Sequence, residues 1–140
     1  MLHGETTERI ICAFYKVYNT LGYGFLEKVY ENALAMELRN QGMDVAVQRN
    51  VKVFYEGEEV GDYYADMIVD GSVIVELKCA ETLCTEHRNQ LINYLRATEM
   101  EVGLLLNFGK EPQFSRVVFS NKRKRIVERA TLTEELAAGK

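Results

Sequence analysis

The chain has 140 residues, of which 47% are hydrophobic and 27% charged, which is typical of one globular domain with a sizeable core. No apolar run approaches the roughly 18–20 residues of a membrane span, and the first residues lack the basic and apolar regions of a signal peptide, so we expect a cytoplasmic protein. The net charge of −4 argues against indiscriminate nucleic-acid binding, which needs clustered Lys and Arg.

Two amphipathic helices are predicted at the start of the chain. Apolar residues recur at helical spacing over residues 6–20 and again over residues 25–41. The Gly22–Gly24 segment separates the two helices, and Gly42 is well suited to end the second.

Three strands are predicted next, over residues 45–55, 60–69 and 72–79. A bend or bulge is expected at Gln48–Asn50, because polar residues interrupt the apolar alternation there. Turns at Glu56–Glu58 and Asp70–Gly71 connect the strands into antiparallel hairpins.

A third helix of about residues 86–98, capped by Thr85, is followed by a continuously apolar strand, Val102–Asn107. A last strand is predicted at Val117–Phe119. This order of elements predicts one α/β domain, with a mixed central sheet flanked by helices on both faces. The domain core covers about residues 5–120.

A charged tail of about residues 121–140 follows the core and is expected to end in a short or frayed helix. Its basic run Lys122–Arg125, with Lys110, Arg116 and Arg129 nearby, is either a nucleic-acid-binding patch or a solvated segment.

The cysteines are Cys12, Cys79 and Cys84, without a CxxC pair. They are too few for a four-thiolate cluster or a structural zinc site, so no iron–sulfur cluster is expected. Free thiols are the simplest interpretation.

The third predicted strand carries charges where packing alone would not place them. Alternate residues of a strand share a face, so Glu76 and Lys78 point the same way as Ile74, while Val75 and Leu77 point into the core. Burying a charge costs several kcal/mol unless it is paired or binds a metal.

Asp66 joins Glu76 only in one hairpin register. A two-residue loop would pair Val69 with Ser72 and turn Asp66 away from Glu76. A three-residue loop would pair Val69 with Val73 and place Asp66 directly opposite Glu76. The metal-site hypothesis therefore requires an odd-length loop or a compensating bulge.

With that register, Asp66 and Glu76 would supply the carboxylate oxygens that Mg²⁺ prefers, helped by the backbone carbonyl of Leu77. The metal would activate a bound water, and Lys78 would orient or deprotonate that water or neutralise a phosphate. The simpler alternative is an exposed cross-strand ion pair, worth about 0–1 kcal/mol.

Further polar residues on the helices strengthen this hypothesis. Glu27 lies one turn before Tyr30 on the second helix, and Gln90 shares a helix face with Tyr94 and His87. Gln90 could bind phosphate or water, and Tyr94 could hold a metal-ligating carboxylate or stack on a base. Taken singly, the two tyrosines are more often core aromatics and His87 a surface residue.

These motifs resemble the GxxExxY proteins of the PD-(D/E)XK nuclease superfamily. The resemblance covers about residues 5–120 and rests on Gly24-x-x-Glu27-x-x-Tyr30, Tyr64-Ala65-Asp66, Val73–Lys78, His87, Gln90–Leu95 and Gly103–Gly109. Ala65 stands where the superfamily name has Pro.

The resemblance implies a restriction-endonuclease-like fold and a set of residue roles. By that resemblance, Asp66 and Glu76 are metal ligands, Lys78 is the catalytic lysine and Glu27 is the helical acid that completes the metal site. Gln90 and Tyr94 resemble the QxxxY motif of RecB-type nuclease domains. The cysteine set with which some of those domains hold an iron–sulfur cluster is missing here.

The leading hypothesis is therefore a Mg²⁺-dependent nuclease, with Mn²⁺ as a possible substitute and DNA as the expected substrate. One alternative is a non-catalytic module that binds nucleic acid or protein and retains the nuclease fold. Another is an enzyme acting on a nucleotide or RNA. A homodimer is a reasonable assembly, because a lone domain with a small groove commonly needs a second subunit to embrace a duplex.

Overall fold

A computed structural model describes residues 1–124 of the chain. Within them lie three long helices and five strands, which are α1 (Gly4–Leu21), α2 (Glu27–Asn40), β1 (Val45–Tyr55), β2 (Glu58–Val69), β3 (Val73–Lys78), α3 (Thr85–Arg96), β4 (Val102–Asn107) and β5 (Gln113–Val118). Residues 121–124 are also helical. The expected frayed helix at the end of the charged tail lies outside the described residues.

The strands form one sheet in the order β1-β2-β3-β4-β5. β3 and β4 run parallel, and the other neighbouring pairs are antiparallel. The predicted mixed sheet is therefore confirmed. Its parallel pair is joined through α3, since parallel strands need a long crossover connection.

The sheet is covered on both faces, as predicted. One core contains Ile10 and Phe14 of α1 and Leu34 of α2, packed against inward residues of β2, β3 and β4. The second core contains Leu91 and Leu95 of α3, packed against the opposite face of the sheet. Each strand of the sheet centre thus contributes apolar side chains to both sides, which explains the continuous burial of β4.

The element boundaries differ from the sequence prediction mainly at β5. This strand begins at Gln113, several residues before the predicted Val117–Phe119 strand. Its position at the sheet edge leaves its first residues partly exposed, so they lack an apolar pattern. Phe119 lies beyond the strand, where it is buried against α3.

The β2–β3 hairpin adopts the register that the metal-site hypothesis requires. Val69 pairs with Val73, so the loop contains three residues, and the Ser72 N–H donates to the Val69 carbonyl at 3.0 Å. The loop passes through left-handed backbone at Asp70 and Gly71, with φ of 52° and 61°. Glycine tolerates this conformation without steric penalty.

The irregularity of β1 differs from the expected one. The register of the β1–β2 pair shifts between Val53 and Phe54 and is kept through Gln48–Asn50, where a bulge was predicted. Gln48 nevertheless has left-handed backbone with φ of 49°. The sequence therefore indicated the correct position of a distortion, but not its kind.

None of the helices in residues 1–124 is long and apolar enough to cross a membrane.

Candidate metal centre

Asp66 and Glu76 are neighbours at the end of the β2–β3 ladder. The last paired residues are Met67 and Val75; Asp66 precedes Met67 on β2, and Glu76 follows Val75 on β3. Beyond that pair, Asp66 Oδ2 accepts a hydrogen bond from the Leu77 backbone N–H at 2.8 Å. A carboxylate thus replaces the backbone acceptor at this step of the ladder. The structure brings the two predicted carboxylates together.

Glu76 is a buried acid with an unsatisfied oxygen. Its side chain is 8% exposed, and Oε1 has no hydrogen-bond partner among the described residues. Burial, the negative charge of Asp66 and a side-chain hydrogen bond with Asp66 together raise the pKa of Glu76 to about 9, and the Lys78 ammonium opposes the rise. Leaving a buried acceptor unpaired costs about 1–3 kcal/mol, more for a charged group. A bound cation would remove that penalty.

Lys78 is the last residue of β3 and shares the strand face of Glu76, as the alternation predicted. The chain that follows it is fixed by the buried Asn107. The Asn107 side chain accepts from the Ala80 N–H and donates to the Ala80 carbonyl, both at 2.9 Å. A Cβ on Gly109 would lie 2.0 Å from the Ala80 carbonyl oxygen, so only glycine fits there. These contacts hold the end of β3 in place.

Two stacked tyrosines lie on the α3 side of Glu76. The rings of Tyr63 and Tyr94 stack with centroids 3.6 Å apart, and the Tyr63 hydroxyl is buried without a partner among the described residues. Burial raises the pKa of both phenols, and the charge of Glu76 raises each further. Tyr94 therefore lies beside the candidate site, and one face of its ring packs on Tyr63.

The other predicted residues of α3 have different positions. His87 Nδ1 accepts a hydrogen bond from the Cys84 backbone N–H at 3.3 Å, so His87 caps the start of α3. This contact gives His87 a structural explanation. Gln90 is exposed on the same helix, and its predicted contact with substrate stays a prediction.

The Tyr30 position of the first motif has a clear structural function. Tyr30 is fully buried and stacks on Phe108 with ring centroids 4.5 Å apart. Its hydroxyl donates to the Gly22 carbonyl at 2.6 Å and accepts from the Phe25 N–H at 3.2 Å. Tyr30 thus ties the loop before α2 to the helix itself, which corresponds to the simpler interpretation of this aromatic residue.

Glu27 is not brought into a metal-binding group with Asp66 and Glu76. It is the first residue of α2 and lies exposed in a groove of about 450 Å³ that Cys79 and Lys110 also line. Residues 1–124 contain no group of three or more acidic, His or Cys side chains that could hold a metal ion. A ligand role for Glu27 therefore stays a prediction.

The predicted basic patch is partly engaged in packing. The Lys124 ammonium donates to the carbonyls of Thr98 and Met100, and the Arg123 guanidinium lies over the Phe119 ring. Arg116 donates to the Leu2 carbonyl. Lys124 and Arg123 thus have structural contacts near the end of α3, and Arg116 has one with the residues before α1.

Comparison with known proteins agrees with this geometry. Residues 4–117 match the family model of the PD-(D/E)XK nuclease superfamily. The chain belongs to this superfamily. The predicted α/β fold of the restriction-endonuclease type is thereby confirmed.

A solved structure, described as "Crystal structure of SSO0001", is 19% identical, with a TM-score of 0.51 over 96% of this chain and 68% of that chain. At this identity the likeness concerns the fold alone. The chain has no match among the curated proteins.

Sequence reasoning missed three residues next to the superfamily site, namely Glu31, Gln48 and Tyr63. Glu31 interrupts the apolar side of α2, one turn before the buried Ala35, and is itself buried. That exception to helical periodicity was a readable signal. Gln48 lies within a run of exposed residues of β1, and nothing in the sequence pairs it with an acid 18 residues later.

The donor set of the site fits a hard divalent cation. Asp66 Oδ1 has only a long contact, 3.4 Å from the Gln48 amide nitrogen, and Glu76 Oε1 has no partner among the described residues. Two adjacent carboxylates whose oxygens have weak hydrogen bonds, or none within the described residues, suit Mg²⁺ or Mn²⁺. These ions take few protein ligands and keep several waters.

Proposed function

We propose that this member of the PD-(D/E)XK nuclease superfamily is a nuclease that uses Mg²⁺, or Mn²⁺ in its place, to hydrolyse phosphodiester bonds of nucleic acid, with DNA as the substrate. The observation that carries the proposal is the buried Glu76 carboxylate with an unpartnered oxygen beside Asp66. A buried acid beside a half-buried one is unfavourable by itself and becomes favourable when a divalent cation binds.

Asp66 and Glu76 would hold the metal, with the Leu77 carbonyl as an additional oxygen. When bound, the metal supplies a more acidic water and stabilises the negative charge that develops on the phosphate. The hydrogen bond from the Leu77 N–H fixes the Asp66 carboxylate against β3. A carboxylate with fixed orientation loses little entropy on binding the ion.

Lys78 would act on the phosphate or on the attacking water. It is half-buried, on the same strand face as Glu76 and close enough to lower the pKa of that acid. A preorganised ammonium in such a position favours the charged transition state over the ground state. The stacked Tyr63 and Tyr94 lie near Glu76, on the α3 side of the site.

The proposal is tested by incubating single-stranded and duplex DNA with the purified protein and Mg²⁺ or Mn²⁺. Cleavage should occur in the wild type and be lost in Lys78→Ala and in Asp66→Asn. Cleavage that persists at the wild-type rate in both variants comes from another site or a contaminant and overturns the proposal. An RNA strand of the same sequence tests the substrate class.

A non-catalytic binding module is the second candidate function. It is favoured by one observation, namely that no third acid joins Asp66 and Glu76 within the described residues. Mn²⁺ titration followed by calorimetry separates the two candidates. Binding that Glu76→Gln abolishes supports the nuclease, and retention of DNA without any site-dependent metal binding supports the module.

The proposed setting of the enzyme follows from the same expectations. A cytoplasmic location and membership of the GxxExxY proteins are proposed along with the activity. A homodimer would provide a wider nucleic-acid surface than one domain offers, and sedimentation with and without duplex DNA tests it.

A further inference from the structure

Gln48 has an unusual backbone conformation for its position. It lies inside β1, yet its φ is 49°, in the left-handed region that residues other than glycine rarely adopt. Such a conformation costs on the order of 1–3 kcal/mol and persists only when surrounding contacts maintain it. The contacts that maintain it here involve the Gln48 side chain.

The Gln48 side-chain amide connects two carboxylates. Its Nε2 donates to Glu31 Oε2 at 2.8 Å and lies 3.4 Å from Asp66 Oδ1. The short bond joins Gln48 to a buried acid of α2, and the long bond joins it to the acid at the candidate metal centre. Gln48 thus lies between the Glu31 carboxylate of α2 and the Asp66 carboxylate, the predicted metal ligand.

Glu31 is a fixed anchor for this amide. Its side chain is 5% exposed, and its other carboxylate oxygen, Oε1, accepts from Lys28 Nζ at 3.0 Å. Both Glu31 oxygens are therefore engaged within the protein. A buried acid with two partners holds its conformation, so Gln48 is held in turn.

Asp66 is contacted from two directions. Leu77 N–H donates to Oδ2 from β3, and the Gln48 amide approaches Oδ1 from β1. An amide is a neutral donor, so it orients the carboxylate without cancelling the charge that a cation needs. At 3.4 Å the contact is also weak enough to leave Oδ1 available as a ligand.

We propose that Gln48 is a positioning residue for the Asp66 carboxylate, anchored by Glu31 and held in a strained backbone conformation. The proposal rests on the proposed function, because it gives the orientation of Asp66 a purpose in metal binding. Residues that orient a metal ligand commonly change metal affinity by about 10–100-fold when removed.

The test uses Gln48→Gly, which suits the left-handed backbone and removes the whole side chain with its amide. We expect thermal stability to change little, because glycine relieves the backbone strain while the hydrogen bond to buried Glu31 is lost. We expect Mn²⁺ affinity, measured by calorimetry, to fall by about 10-fold or more. Exchange of the Leu77 amide proton, measured by NMR without metal, should become faster as the Asp66 carboxylate loses its second contact.

Asn50→Ala is the matched control. Asn50 lies two residues further along β1 and donates its side-chain amide to Asp62 Oδ2 at 3.1 Å, so it makes the same kind of contact on the exposed part of the strand. This variant should leave both Mn²⁺ affinity and Leu77 exchange unchanged. Glu31→Gln, whose carbonyl can still accept from Gln48, should keep most of the Mn²⁺ affinity.

The outcomes separate this inference from the proposed function. If the wild type binds Mn²⁺ and Gln48→Gly changes neither affinity nor Leu77 exchange, Gln48 does not position Asp66. The same conclusion follows if Glu31→Gln abolishes Mn²⁺ binding, since Glu31 would then be a ligand rather than an anchor. If the wild type binds no Mn²⁺ while Gln48→Gly still speeds Leu77 exchange, the positioning of Asp66 stands and the proposed function fails.

Discussion

Among the described residues, each side of the sheet contains one buried glutamate. The two acids differ in the hydrogen-bond partners of their carboxylate oxygens. Glu31 of α2 is 5% exposed and has a partner for each carboxylate oxygen, Lys28 for one and Gln48 for the other. Glu76 of β3 is 8% exposed and has one oxygen with no partner among the described residues. Burial is nearly equal, so burial alone does not distinguish a structural acid from a functional one.

The tyrosines show the same difference. Tyr30, on the α2 side, has a hydroxyl that both donates and accepts a hydrogen bond. Tyr63, on the α3 side, has a buried hydroxyl without a partner within residues 1–124. Both oxygens of Glu31 and the hydroxyl of Tyr30 thus have partners, whereas Glu76 Oε1 and the Tyr63 hydroxyl have none among the described residues. On the face that α1 and α2 cover, the buried Arg116 Nε also lacks a partner within residues 1–124. Unsatisfied buried groups are rare in native proteins and commonly mark sites of function.

The largest expected effect comes from replacing the unsatisfied acid. Glu76→Gln keeps the shape of the side chain and removes the charge that holds the metal. We expect cleavage of DNA to fall by about 100–1000-fold, the loss that accompanies removal of one electrostatic contributor to a transition state. Single-turnover cleavage at saturating Mn²⁺ measures this effect.

Glu31→Gln is the matched control for that variant, since both replace a buried glutamate by its amide. We expect Glu31→Gln to lower stability by about 1 kcal/mol, through loss of the Lys28 pair and a weaker contact with Gln48, and to change cleavage little. Equal loss of cleavage in the two variants would remove the distinction between the two acids.

The pH dependence of stability should come from the Glu76 side. Burial raises the pKa of Glu76 from 4.5 to about 9, so between these values the folded protein binds more protons than the unfolded chain. The free energy of unfolding therefore falls as pH rises through this window, by several kcal/mol at most. The stabilisation is complete below pH 4.5 and is lost as pH rises through about 9.

Urea denaturation across that pH range measures the slope. The Glu76→Gln variant should lack this component and should exceed the wild type in stability at the alkaline end. Because the metal binds the ionised carboxylate, the affinity for Mn²⁺ should increase over the same range. A wild-type slope equal to that of Glu76→Gln would show that Glu76 ionises normally.

The two tyrosine hydroxyls provide a smaller test of the comparison. Tyr30→Phe removes two hydrogen bonds at the start of α2 and should lower the free energy of unfolding by about 1–3 kcal/mol. Tyr63→Phe removes a hydroxyl that has no partner among the described residues and should change it by about 0.5 kcal/mol or less. Chemical denaturation of both variants measures the difference, and similar losses in both would contradict it.

Sequence reasoning predicted the relative positions of Asp66, Glu76 and Lys78 better than the side chains that surround them. Strand alternation placed Glu76 and Lys78 on one face. Hairpin geometry required a three-residue loop to bring Asp66 opposite Glu76, and the structure has that loop. These features depend on local periodicity and turn geometry. Gln48 and Tyr63 depend on tertiary contacts with α2 and α3, which no local pattern specifies.

Substitution of Glu27 decides whether the α2 side contributes a ligand at all. Glu27 is exposed at the first residue of α2. A negative charge there stabilises the helix by about 0.3–1 kcal/mol, through its interaction with the helix dipole. Glu27→Gln should lower stability by no more than this. If Glu27 joins the metal only when substrate binds, Mn²⁺ affinity of the free protein should change by less than about threefold, while affinity in the presence of a non-cleavable DNA strand should fall by about 10-fold or more. No change in either titration would show that Asp66 and Glu76 hold the ion without Glu27. The acids of α2 would then have structural roles only, and metal binding would depend on Asp66 and Glu76.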